Sequence, residues 1–129
     1  MNSDLVGYVS GPYTKGDVAL NVAEAMSVAA WLMDQHVCVI VPHLSHFLHM
    51  AHPFPYHQWL EMDKVLLRRC DFLYRFPGIS PGADMEIDEA IKCGVPVFYT
   101  RANCEVFIHQ HKRRLSQEEE SACLTTKDH

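Results

Sequence analysis

The sequence predicts a single α/β domain, a three-layer arrangement in which a parallel sheet of four to five strands carries helices on both faces. Three observations lead there. Short, β-prone apolar runs alternate four times with stretches of helical period, the signature of strand–helix units and a parallel sheet. The strand candidates are nearly continuously apolar, as strands covered on both faces are. The chain has 129 residues, 48% of them apolar and 21% charged, an ordinary balance for one globular domain that forms a core without disulfides or metal. The predicted division is a domain over residues 1–115 and a polar tail over 116–129.

The elements follow in order. Leu5 to Ser10 is short and apolar and runs into Gly11-Pro12, so it reads as a buried strand ending in a loop. Asp17 is placed to cap a helix, and Val22, Ala25, Met26, Ala29, Ala30 and Met33 recur at helical spacing up to about Gln35. Val37 to Val41 is an apolar run stopped by Pro42, a second buried strand. Pro42 to Pro55, rich in His and Pro, is expected to be irregular, with room for one helical turn. Tyr56 to Cys70 returns to helical spacing, Asp71 to Phe76 is a third strand, and Pro77 to Gly82 is a loop. A helix is expected to begin near Gly82 or Ala83 and to run to Cys93, closed by Gly94. Val95 to Tyr99 is a fourth strand, and Arg101 to about Leu115 is helical.

Composition excludes several classes. The net charge of -5 argues against binding nucleic acid polymers or anionic membranes, though not against a small anion in a local pocket. No apolar run reaches the roughly 18–20 residues of a membrane span. The start, Met1 to Val6, lacks the basic and apolar regions of a signal peptide. The five cysteines are odd in number and contain no C-x-x-C, so free thiols in a reducing cytoplasm are expected rather than a disulfide framework or zinc site.

In a doubly wound sheet the ligand sits beyond the carboxyl ends of the strands, so the loops there are the ones to read. The stretch Pro77-Gly78-Ile79-Ser80-Pro81-Gly82-Ala83-Asp84-Met85-Glu86 is a tight turn feeding a helix. Ser80 and the helix's free N–H groups suit a phosphate or a sugar hydroxyl. Glu86 lies about one turn in, where the positive helix end favours a carboxylate, as a nucleophile requires; the alternative is a solvated glutamate. Asp88 and Glu89, turned roughly 200° and 300° from Glu86 about the helix, read as solvated acids, as does Asp84. Asp63 lies among Trp59, Leu60, Leu66 and Leu67; its spacing favours the helix border with solvent over a pocket. Gly11 lets backbone approach a ligand closely. The loop at Gly11 is neither a G-x-G-x-x-G fingerprint nor a Walker A loop, so no dinucleotide or nucleoside-triphosphate motif is present. His43, His46, His49 and His52 recur every third residue. Metal binding needs convergent ligands and a second shell, and a lid whose histidines touch the substrate is the preferred reading. No metal and no cofactor is expected.

Taken together, four motifs resemble the nucleoside 2-deoxyribosyltransferase superfamily, including its nucleotide N-hydrolase branch and small relatives of unknown substrate, and with it a flavodoxin-like or Rossmann-like sheet. They are Tyr8-Val9-Ser10-Gly11-Pro12 at the end of the first strand, Asp63 eight residues before Asp71, the turn from Ser80 to Glu86 (similar to the family's S/D-x-G-x-x-x-E), and Gly94-Val95-Pro96-Val97. The resemblance runs from about Tyr8 to Tyr99; the part from Arg101 onward has no match.

The resemblance implies roles. Glu86 matches the nucleophile that attacks the anomeric carbon, Tyr8 the tyrosine that orients it, and Asp63 a second acid near the sugar and leaving base. Ser80 stands where the nucleotide hydrolases carry a serine for the 5′-phosphate, with Ser10, Gly11, Pro12 and Gly82 around the same group and His43 and His46 on the lid side. The implied activity is cleavage or transfer of the N-glycosidic bond of a nucleoside or its 5′-monophosphate through a glycosyl-glutamate intermediate, in a homo-oligomer. Two other readings are a nucleotide-binding module without turnover and a flavodoxin-like response or redox domain; the latter lacks a flavin loop and a phosphoacceptor aspartate.

Overall fold

The computed structural model describes residues 4–127. Four parallel strands, β1 (Val6–Ser10), β2 (Cys38–Ile40), β3 (Phe72–Arg75) and β4 (Val97–Phe98), lie in the order β2-β1-β3-β4. Five helices connect and flank them: α1 (Val18–Asp34), α2 (Ser45–Ala51, entered through a 3₁₀ turn at Pro42–Leu44), α3 (Tyr56–Arg68), α4 (Pro81–Cys93) and α5 (Arg101–Lys127). The predicted three-layer α/β architecture is present. No fifth strand occurs among the described residues, and none of their helices is long and apolar enough to cross a membrane.

Side-chain alternation along each strand divides the core in two. On one face Val9, Phe72 and Tyr74 pack with Val28 and Leu32 of α1 and Cys104 and Ile108 of α5. On the other, Tyr8 and Leu73 pack with Leu67 of α3 and Ala90 of α4. From β1 the chain steps outward to β2 and then returns past β1 to β3. The order therefore reverses between β1 and β3, and the loops after those strands diverge to leave a crevice.

Local chemistry sets the element ends. Asp17 caps α1, its Oδ1 accepting from the Leu20 N–H at 3.1 Å. Asn21 then straps the preceding loop, its amide donating to the carbonyls of Tyr13 and Lys15 at 2.9 and 2.7 Å. Ser80 caps α4, Pro81 occupies its first turn, and Gly94 closes it at φ 74°, a left-handed conformation that glycine adopts without steric cost.

The structure revises five expectations. The Val37–Val41 run pairs only over Cys38–Ile40, and that strand is not buried throughout: it lies at the sheet edge, where Cys38 is exposed while Val37 and Val41 turn into the core. The His- and Pro-rich stretch is ordered as the 3₁₀ turn and α2. Asp71 stands just before β3, and its carboxylate accepts the Val6 N–H at 2.8 Å. Helix α4 starts at Pro81, because Ser80 rather than a later residue provides the cap. Helix α5 continues unbroken past Leu115 to Lys127 through the polar segment, whose Gln, Glu and Ala residues are good helix formers.

Gly11, at the mouth of the crevice, is required for packing. A Cβ there would overlap the Phe76 ring. Gly11→Ala is expected to lower unfolding free energy by about 1–3 kcal/mol, the usual range for overpacking, measured as a denaturant midpoint shift; an unchanged midpoint would contradict this packing.

Candidate active site

Strand β1 is central, and its carboxyl end delivers two hydroxyls to one carboxylate. Tyr8 is fully buried and its phenol donates to Glu86 Oε2; Ser10 Oγ donates to Glu86 Oε1 at 3.0 Å. Tyr8 and Ser10 are two apart on an extended strand and so share a face, the face that α4 covers. Glu86, on the second turn of α4, is only 8% exposed. Burial and the neighbouring acid raise the Tyr8 phenol far above its ordinary range. It stays protonated and acts as a donor.

Asp63 reaches the site from α3. Its Oδ1 is buried and has no partner among the described residues, so the solvent-border placement expected from spacing does not hold. Tyr56, Trp59, Leu60 and Asp63 form one stripe of α3 and all line a cleft of about 790 Å³ that also holds Glu86. Burial pushes the Asp63 carboxyl up to about 6. Glu86 is pushed up to about 7, chiefly by burial and further by Asp63, against the lowering effect of the Tyr8 and Ser10 hydrogen bonds and of Arg75. The expectation that the helix end holds Glu86 ionised is therefore reversed. The helix field falls off beyond the first turn, and loss of hydration dominates.

Gly11, Ser80, Gly82, His43 and His46 line the cleft, whereas Tyr8, Ser10 and Pro12 stand behind its wall. Pro12 packs against Gly78, and its carbonyl accepts from His43 Nε2 at 2.9 Å. Ser80 Oγ accepts the Ala83 N–H at 3.1 Å, which leaves its own hydrogen to donate. Glu89 pairs with Arg68 at 2.8 Å and Asp84 is an exposed first-turn acid, so neither joins Glu86.

The histidines diverge. His46 bonds the Tyr13 phenol, and His49 Nδ1 accepts from the Trp59 indole at 2.8 Å and the Phe54 N–H at 3.3 Å. His43, His46 and His49 thus tie the 42–51 segment to different walls, and His52 is exposed. Among the described residues no three His, Cys, Asp or Glu side chains group as metal ligands.

Sequence reasoning missed Tyr13, Lys15, Phe54 and Tyr56 on the cleft wall and Arg75 at the end of β3. The i, i+3, i+4, i+7 stripe at Tyr56, Trp59, Leu60 and Asp63 was a usable signal, as was an arginine ending an apolar strand. The remaining wall residues come from loops whose course no periodicity reveals.

The profile of a family described as a domain of unknown function (DUF7768) matches residues 5–100. No curated protein matches the chain in sequence. Among solved structures, a 2-deoxyribosyltransferase from Bacillus psychrosaccharolyticus superposes with a TM-score of 0.55 at 16% identity, over 71% of this chain and 69% of that one. A 2-desoxiribosyltransferase from Leishmania mexicana gives 0.56 at 17% identity, over 73% of this chain and 62% of that one. These likenesses establish a nucleoside 2-deoxyribosyltransferase-like fold.

The raised Glu86 fixes a pH signature. A carboxyl that titrates higher in the folded chain contributes stability below its ordinary value of 4.5, and this is lost as pH rises through about 7. Glu86→Gln is therefore expected to be more stable than wild type at pH 8, by about 1–3 kcal/mol, with the gap closing toward pH 5. Thermal midpoints across that range check it.

Proposed function

We propose that this chain, which belongs to the DUF7768 family, breaks the N-glycosidic bond of a nucleoside or nucleoside 5′-monophosphate, by hydrolysis or by transfer to a second base, with Glu86 as nucleophile. The observation that carries this reading is the Glu86 carboxyl itself. It is buried at the wall of an aromatic cleft, gripped at both oxygens by Tyr8 and Ser10, with Asp63 lining the same cleft. An acid serving only solubility or packing has no reason to occupy such a place. The likeness in fold to two 2-deoxyribosyltransferases supports a nucleoside as the sugar donor.

The chemistry is that of retaining glycoside transfer. A Glu86 oxygen bonds to C1′ as the C1′–N bond breaks and its electron pair leaves with the base, through an oxocarbenium-like transition state. A base departs more readily when protonated, and Asp63, whose carboxyl burial pushes up to about 6, delivers that proton from the singly protonated form in which Glu86 is ionised. Water or another base then attacks C1′ and releases Glu86. Tyr8 and Ser10 favour the charged carboxylate and hold it in one orientation. Trp59 and Phe54 offer flat faces for a base, while Lys15, Ser80 and the Gly82 N–H suit a 5′-phosphate. Phe47, Leu48 and Met50 of α2 are exposed and offer an apolar face for assembly of copies. Cys70, Cys93 and Cys104 are free thiols, as suits a reducing compartment such as the cytoplasm.

Incubation with a panel of nucleosides and 5′-monophosphates is expected to release free base, seen by chromatography. Glu86→Gln is expected to lower turnover by about a thousandfold or more, and Asp63→Asn by about 10²–10⁴-fold, with less loss for bases that leave easily. Binding without base release from any compound would instead identify a nucleotide-binding module.

The reactive form carries one proton on the two acids. Rate is therefore expected to peak between about pH 6 and 7, falling below as both acids become protonated and above as both become ionised. A pH–rate profile flat across this range would contradict the pairing.

A further inference from the structure

Arg75 is a buried cation at the carboxyl end of β3, 8% exposed. Its Nη1 donates to the Phe76 carbonyl and its Nη2 to the Gly78 carbonyl at 2.7 Å. Nη2 also lies 3.8 Å from Asp84 Oδ1 at the start of α4. In the sheet, Arg75 is the register partner of Ser10. Paired residues on neighbouring strands project to the same face, and Ser10 projects to Glu86. The guanidinium therefore leaves the sheet on the Glu86 side, beneath the turn that presents Ser80.

We propose that Arg75 is a positioning residue for Glu86: its fork clamps the 76–80 turn that launches α4, and its fixed positive charge favours the ionised, nucleophilic carboxylate. Two carbonyls gripped by separate nitrogens is a geometry that guanidinium provides and a lysine ammonium does not. The charge is needed because the surroundings oppose ionisation. Burial and the like charge of Asp63 from α3 disfavour the carboxylate, and the hydrogen bonds from Tyr8 and Ser10 of β1 favour it without supplying a charge. Asp84 on α4 is drawn to Arg75 itself, and His43 across the cleft is held neutral by burial. Lys15, also on the cleft wall, is exposed to solvent, where screening weakens its field. The Arg75 charge acts on Glu86 in the lowering direction, beside the larger influences of burial and the two hydrogen bonds.

The functional meaning rests on Glu86 as the reacting carboxyl, but the test needs no turnover. Carboxyl ¹³C resonances are titrated by NMR in wild type, Arg75→Gln and Arg75→Lys, with Glu86 assigned by the signal missing in Glu86→Gln. The Glu86 midpoint is expected to rise in Arg75→Gln and to stay at the wild-type value in Arg75→Lys. Backbone order parameters of Gly78, Ile79 and Ser80 in Arg75→Lys are expected to fall from the rigid range near about 0.85 toward about 0.6. A wild-type midpoint in Arg75→Gln overturns the electrostatic role, and unchanged order parameters in Arg75→Lys overturn the clamp. Should Arg75→Gln not fold, Arg75→Lys alone decides, since a shifted midpoint with the charge retained is also contrary. A chain that shows the shift yet releases no base refutes the glycosidic reading and leaves the placement of Arg75 intact.

Discussion

A carboxyl group buried among hydroxyls governs this molecule. Placing Glu86 inside the fold costs hydration, and the two bonds from Tyr8 and Ser10 offset part of that cost. Both donors stand on the central strand, so the carboxyl's position is set by sheet register rather than by a mobile loop. The penalty that remains appears as a raised titration point for Glu86. Evolution toward stability alone would replace such a group with an amide or an apolar side chain; its presence fits the common trade of stability for reactivity.

The crevice follows from the winding of the sheet. The order reversal between β1 and β3 separates the loops that follow them. Helix α3 then supplies an aromatic and acidic stripe, and the 42–51 segment closes a wall through histidines bonded to three different places. Aromatic faces, two titratable acids and hydroxyls with hydrogens to donate meet in one volume.

Much of this was legible in the chain. Continuous apolar strands and period-3.6 helices revealed the layered sheet, and Asp17 and Gly94 marked helix ends through chemistry that is local by nature. Glu86 and Tyr8 were legible as candidates because a Ser-Pro-Gly turn announces a helix start beneath a strand end. Properties set by tertiary neighbours were not. The edge position of β2 depends on strand order, the burial of Asp63 on α3 meeting α4, and the need for Gly11 on a ring from Phe76, distant in sequence. The sign of the Glu86 shift was misread for the same reason, since helix position is local and desolvation is not. Arg75 passed unnoticed because its partners are carbonyls, which sequence does not display.

The central claim is that Glu86 bonds covalently to C1′. Fluorine at C2′ slows both steps by withdrawing charge from the oxocarbenium-like transition state, and a readily departing base restores the first, so the glycosyl-enzyme accumulates from such nucleosides and 5′-monophosphates. Intact-protein mass spectrometry after incubation with them is predicted to show a gain of one fluorinated glycosyl group, mapped by peptide fragmentation to Glu86 and absent in Glu86→Gln. Release of base from the natural nucleotides without any adduct on Glu86, or an adduct that persists in Glu86→Gln, would contradict the account.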